Sequence, residues 1–151
     1  GLGDVYKRQI RGMGSQLDGR KIRVSKHTQL PGCLLGTGFP YRDQKDWLEL
    51  YLDIFTDFTK IVGAIRRPGS AALDLAYVAS GRYDGFWEFG LKPWDVAAGV
   101  LLIQEAGGIV QNIIPDTDPV ESGSLFCGNP KIFEGMQEII HPYDKRLKAF
   151  A

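Results

Sequence analysis

Only two cysteines and two histidines occur in 151 residues. Cys33 and Cys127 stand far apart, so neither a disulfide framework nor a zinc pattern can be built from them. Reduced thiols, each packed as a small hydrophobe in a buried strand, are expected instead. His27 and His141 are isolated, with no nucleophile or ligand spacing around either, and surface or capping roles are expected for both. Net charge is also missing, because 18 Lys and Arg balance 18 Asp and Glu. No excess cation is left to displace counterions from phosphates, so a direct nucleic-acid partner is not expected. Apolar runs reach only a few residues, which leaves no membrane span and no secretory signal to be read, and a cytoplasmic location is expected.

What is present fits a globular chain. Apolar residues make up 44%, too many for disorder. The 19 glycines point to many tight turns and to places where backbone approaches something closely. Arg11 to Ile22 reads as a hairpin about the Asp18-Gly19 turn, and Cys33 to Gly38 as a short buried strand. Trp47, Tyr51, Ile54, Phe55, Phe58, Ile61 and Val62 recur at three- and four-residue intervals, one face of a helix. Asp43, Lys45, Asp46, Glu49, Asp53, Asp57 and Lys60 fill the opposite, solvated face; Asp53 and Asp57 belong there and do not form a metal pair. The apolar face fits an intramolecular core and a subunit interface equally well. Gly63 to Arg66 reads as a strand and Ser70 to Ser80 as a small-residue helix closed by Gly81. An extended aromatic segment, Phe86 to Phe89, follows the Asp84-Gly85 turn. Pro93 opens a helix to about Ala106, ended by Gly107-Gly108. Ile109 to Asn112 and Leu125 to Cys127 are strands around a polar loop, Pro115 to Gly123, and Asn129-Pro130 begins a last helix through Ile140. Strands alternate with helices, which predicts an α/β fold with a mostly parallel sheet flanked by helices.

Three segments could carry chemistry. In Pro93-Trp94-Asp95-Val96-Ala97-Ala98-Gly99, Asp95 falls in the first helical turn beside unpaired backbone N–H groups. It either complements the helix dipole or is held where a cation or ligand approaches. In Arg67-Pro68-Gly69-Ser70-Ala71-Ala72, a glycine and small residues at a helix start either frame an ordinary Ser N-cap or let backbone amides reach an oxygen-rich ligand. Arg66 and Arg67 beside it could steer a phosphate, although exposed or ion-paired arginines are the more ordinary outcome. In Phe86-Trp87-Glu88-Phe89-Gly90, alternation puts Phe86 and Glu88 on one face and Trp87 and Phe89 on the other. An acid beside such apolar bulk sits at a sheet edge or in a site that binds hydroxyls.

Taken together, Gly69 to Gly81, Asp84 to Leu91 and Pro93 to Gly99 resemble the inositol monophosphatase family, most of all its bacterial inositol-1-monophosphatase branch. The resemblance extends through Glu105-Ala106-Gly107-Gly108 and Gly128-Asn129-Pro130, and upstream through Arg11-Gly12, Leu17-Asp18-Gly19 and Thr37-Gly38-Phe39-Pro40. It implies a magnesium-dependent phosphomonoesterase acting on inositol monophosphate or a similar small polyol phosphate. Metals in such a reaction activate water, clamp the phosphate and stabilise the departing alkoxide. By the same resemblance Asp95 is a ligand of one Mg2+ and touches a substrate hydroxyl, Glu88 hydrogen-bonds substrate hydroxyls, and Gly69 and Ala71 line the substrate pocket. Histidinol phosphate, fructose bisphosphate and nucleotide 3′-phosphate are alternative substrates among relatives. Some bacterial members act instead as non-catalytic protein partners in transcription and ribosome assembly, and homodimers are common.

The family's remaining metal ligands come from a Glu-Glu segment and an Asp-Pro-x-Asp-Gly-Thr motif, and neither occurs in this sequence. Asp118-Pro119-Val120-Glu121-Ser122-Gly123 lies after Asp95, and a turn explains its composition. The chain is therefore expected to be a C-terminal part of the family's αβαβα layered fold, with negligible catalysis and weak magnesium binding by itself. Residues 1–9 are expected to be a non-native leader, 10–40 the remnant of an N-terminal sheet, and 41–151 the C-terminal α/β domain.

Overall fold

A computed structural model describes residues 7–39 and 47–150, the first three by backbone only. The expectations that rest on Gly1 to Tyr6, on Pro40, and on Asp43, Lys45 and Asp46 lie outside the described residues.

The chain opens with a three-stranded antiparallel sheet, β1 (Lys7–Ile10), β2 (Gly14–Leu17) and β3 (Arg20–Lys21). Asp18 and Gly19 both take positive φ, 51° and 74°, the conformation a two-residue hairpin turn requires. Residues 7–9, which show no apolar periodicity, nevertheless pair with β2, Lys7 facing Leu17 and Gln9 facing Ser15.

Five further strands form a second sheet: β4 (Leu34–Thr37), β5 (Ala64–Arg66), β6 (Gly85–Glu88), β7 (Ile109–Asn112) and β8 (Leu125–Gly128), in the order β5-β4-β6-β8-β7. This sheet is mixed. β4 pairs in parallel with β5 and β6, whereas β8 runs antiparallel to both β6 and β7. The parallel character expected from strand–helix alternation thus holds for half of the pairings. The connection between β7 and β8 explains the rest. It carries only one turn of helix, α4 (Pro119–Ser122), too little for a crossover, so β8 returns beside β7. β4 sits between β5 and β6, inside the sheet formed with later strands, so the boundary between the two sheets falls between β3 and β4.

Helices cover both faces of the five-stranded sheet. On one side α1 (Leu48–Thr59) and α5 (Pro130–Ile140) enclose a core of Tyr51, Ile54, Phe58, Trp87, Phe89, Phe133 and Met136. Tyr51, Ile54 and Phe58 of the apolar face of α1 are fully buried there, in an intramolecular core; Asp53 and Asp57 are on its outer side, paired with Arg146 at 2.6 Å and Lys60 at 2.8 Å. On the other side α2 (Ala71–Ala79) and α3 (Pro93–Glu105) pack Leu75, Val78, Val100 and Ile103 against Phe86 and Cys127. Gly99 makes that packing close, since a Cβ there would lie 2.5 Å from Leu75 Cδ1. The three-stranded sheet forms a further layer on α3. The Ser15 hydroxyl donates to the Leu102 carbonyl at 2.7 Å, and the Glu105 carboxylate accepts from the Gly12 and Gly14 amides at 2.7 and 2.8 Å.

Short polar signals set the helix ends. Asn129 caps α5 by accepting from Lys131 and Ile132 N–H, and its amide nitrogen donates to Ser25 Oγ and the His27 carbonyl, pinning the extended segment after β3. Asp118 caps α4 by accepting from the Val120 and Glu121 amides, so this acid serves a turn. Both thiols are buried, and burial pushes the Cys33 thiol up to about 11. Among the described residues no helix is long and apolar enough to cross a membrane.

Candidate functional site

The loop after β4, the start of α2, the end of β6 and the start of α3 meet at one cavity of about 270 Å³. Its lining includes Gly38, Arg67, Gly69, Ala71, Glu88 and Asp95. All four residues singled out as pocket or metal positions, Gly69, Ala71, Glu88 and Asp95, therefore fall around one space, although they span 27 positions of sequence.

Each is placed by its local structure. Glu88 ends the central strand of the sheet, so the sheet-edge reading of this acid is excluded. It is only 6% exposed, and Gly38 makes room for it: a Cβ at Gly38 would stand 2.0 Å from Glu88 Oε1. Burial pushes the Glu88 carboxyl up to about 8; the carboxylates of Asp74 and Asp95 push the same way and the Arg67 guanidinium opposes them. At neutral pH the group is thus largely a carboxylic acid, able to donate as well as accept a hydrogen bond.

Asp95 is half-buried in the first turn of α3. Its Oδ2 accepts from the Lys92 amide at 3.2 Å, closing a capping box. Helix-start acid and cavity-lining acid are therefore both true of it. Ser70, at the N-cap of α2, makes no capping hydrogen bond with its side chain, so the ordinary cap is not what this serine provides. Gly69 takes φ +92° with open space where a Cβ would stand, and the first residues of α2 line the cavity wall.

Arg67 also reaches this site. Its guanidinium lies 5.0 Å from the centre of the Phe39 ring, over its face, at the cavity rim. Asp74 is a residue the sequence pattern did not single out. It is 1% exposed and buried on the inner side of α2, its Oδ1 has no hydrogen-bond partner, and burial pushes it up to about 6. The sequence offered no clear signal for it, because an acid early in a helix is also what the helix dipole favours at an exposed position. His27 and His141 lie away from the cavity, His27 Nε2 against the Pro31 carbonyl at 3.2 Å and His141 Nδ1 against Asp144 at 2.6 Å.

A hard divalent cation such as Mg2+ needs several oxygen ligands in near-octahedral array. Among the described residues no group of three or more His, Cys, Asp and Glu side chains could hold a metal ion. Asp95 offers one hard oxygen, and Glu88, largely protonated, is a poor second. The described residues do not make a magnesium site by themselves.

A mixed sheet between helix pairs, with carboxyl groups and a helix start converging at the strand ends, defines an α/β protein with a small polar ligand cavity. Comparison with known proteins makes this specific. The model of the inositol monophosphatase family matches residues 3–144. Nus factor SuhB of Pseudomonas aeruginosa is 52% identical over 134 residues, covering 88% of this chain and 49% of that protein. The crystal structure of the extragenic suppressor protein suhB from Bartonella henselae superposes with a TM-score of 0.82 at 38% identity, over 89% of this chain and 51% of the other. The inositol monophosphatase of Anabaena sp. PCC 7120 gives 0.82 at 38%, over 90% and 54%. The chain belongs to the inositol monophosphatase family, and it spans about half the length of the relatives it matches.

Proposed function

We propose that the protein to which this chain belongs is a magnesium-dependent phosphomonoesterase that hydrolyses inositol monophosphate or a similar small polyol phosphate. The convergence of Gly69, Ala71, Glu88 and Asp95 on one cavity carries this reading. Amides at the start of α2 suit phosphate oxygens, and a buried, protonated Glu88 suits a hydroxyl-rich substrate. Asp95 supplies one metal ligand. The others come from outside the described residues, so the isolated chain binds Mg2+ weakly and turns over negligibly. A cytoplasmic location and a homodimer go with the same reading. Histidinol phosphate, fructose bisphosphate and nucleotide 3′-phosphate are the competing substrates.

The test is phosphate release from inositol monophosphate by the full-length gene product with and without Mg2+. Metal-dependent release, lost by a factor of about 10² or more in Asp95→Asn, is expected because one metal ligand is removed. Turnover that is indifferent to Mg2+ or to this substitution overturns the proposal.

A second reading is a protein-binding role in transcription, and the name of the Pseudomonas aeruginosa relative, Nus factor SuhB, favours it. Such a role need not use Asp95. A pull-down whose bound partner survives Asp95→Asn, in a protein without phosphatase activity, would favour this reading over the enzyme.

A further inference from the structure

Residues His141 to Phe150 form a strap across α1. They make a single turn of α-helix, α6 (Asp144–Leu147), between two 3-10 turns, His141–Tyr143 and Lys148–Phe150. Two apolar residues anchor the strap. Leu147 is fully buried in the core under α1 and α5, and the Phe150 ring stacks on Trp47 at 4.1 Å. Its polar bonds reach the outer side of α1: the Tyr143 hydroxyl donates to Asp57 Oδ2 at 2.5 Å, and Arg146 Nη1 to Asp53 Oδ2 at 2.6 Å. The Arg146–Asp53 pair is half exposed, where such pairs add little. Helices this short are not stable by themselves, so an element held mainly by two side chains opens more readily than the sheet beneath it.

Rings in contact lead from the strap to the cavity. Trp47 lies 5.1 Å from Phe89, the residue after Glu88, and Phe89 meets the Tyr51 ring edge-on at 6.3 Å. Tyr51 in turn lies 5.1 Å from Phe39, which lines the cavity and carries the Arg67 guanidinium over its face at 5.0 Å. The Tyr51 hydroxyl is 3.2 Å from Thr37 Oγ1, which ties this ring to the strand that leads to Phe39. Tyr51 and Phe89 are fully enclosed, and a close-packed interior passes a displacement on instead of absorbing it.

We propose that residues 141–150 are a positioning device for the cavity rim. With the strap seated, Phe150 keeps the series of rings in place, and Phe39 holds Arg67 where a phosphorylated ligand enters. With the strap released, Trp47 loses its stacking partner, the rings behind it relax toward the space left, and Phe39 and Arg67 leave their places. Release therefore weakens ligand binding without touching Gly69, Ala71 or Asp95. The identity of that ligand rests on the phosphatase reading, whereas the strap's hold on the rim does not.

The test is proton NMR of the 151-residue chain, with no ligand added, in the wild type, Phe150→Leu and Phe150→Ala. Protons above an aromatic face are shifted upfield, so the Arg67 side-chain protons report their place over Phe39. In the wild type they are expected upfield of those of the exposed Arg20. Phe150→Ala should move the Trp47 indole N–H, the Phe89 and Tyr51 rings, and the Arg67 protons, which return toward the Arg20 values. Phe150→Leu should move the same signals less. The Val78 and Ile103 methyl signals, from the core under α2 and α3, should stay where they are. Arg67 protons that are not upfield in the wild type, or that stay in place in the variants, overturn the proposal. So does a shift of Val78 and Ile103 as large as that of Arg67, which means general loosening. Should Phe150→Ala not fold, Phe150→Leu decides by the same signals. Because no phosphate ester is present, failure here is distinct from failure of the phosphatase assignment.

Discussion

Glu88 illustrates how a single side chain ties stability to chemistry. Its carboxyl is raised from an ordinary 4.5 to about 8, mainly by burial. Its contribution to stability is therefore complete below about pH 4.5, where the group is protonated folded or unfolded, and is lost as pH climbs through 8. The loss runs at up to about 1.4 kcal/mol per pH unit for one proton. Glu88→Gln keeps the shape without the charge, so its thermal midpoint should fall less between pH 5 and pH 8 than that of the wild type; parallel curves would show that Glu88 is not the group responsible. Gly38→Ala acts on the same residue by sterics. A methyl group 2.0 Å from Glu88 Oε1 must drive the side chain out of place, at about 1–3 kcal/mol of overpacking, visible as a lowered midpoint in chemical denaturation. Glu88 was legible in sequence because strand alternation assigns its face outright. Asp74 was not, because an acid early in a helix is the residue the dipole favours, and nothing in the spacing says that α2 turns that position inward.

Between elements, close approach and capping decide the packing. Gly99 brings α3 onto α2, and a methyl group there would come within 2.5 Å of Leu75. Gly99→Ala should therefore destabilise by about 1–3 kcal/mol even though alanine is the better helix former; a rise in the thermal midpoint would mean that the helices have slack. Asn129→Ala removes the α5 cap, worth about 1 kcal/mol, together with the bonds to Ser25 and His27. Faster amide exchange at both Lys131–Ile132 and the 25–27 segment is expected, while an effect confined to α5 would show that the extended segment is held otherwise. Helix ends were the most legible features: Pro93, Asn129-Pro130 and Gly81 all stand where their backbone chemistry requires. Strand direction was not, since a four-residue apolar run reads the same in either sense, and only the thin connection through α4 reverses β8.

Across the whole molecule, layering places the cavity. The five-stranded sheet separates an aromatic core under α1 and α5 from an aliphatic core under α2 and α3, and the cavity opens where the second pair of helices begins. Contacts far apart in sequence close the first core. Phe150 stacks on Trp47 with ring centres 4.1 Å apart, and Arg146 pairs with Asp53. No local pattern announces either, because they join the chain's end to its first helix. On the proposed function, this cavity receives a small phosphorylated polyol. The most direct test of that is amide shift mapping of the isotope-labelled chain titrated with inositol monophosphate and Mg2+ into the millimolar range. Shifts centred on Gly69, Ala71, Glu88 and Asp95 are predicted. No shifts at those amides, or shifts centred instead on the smaller cleft bounded by Asn112, Gln137 and His141, would contradict the account.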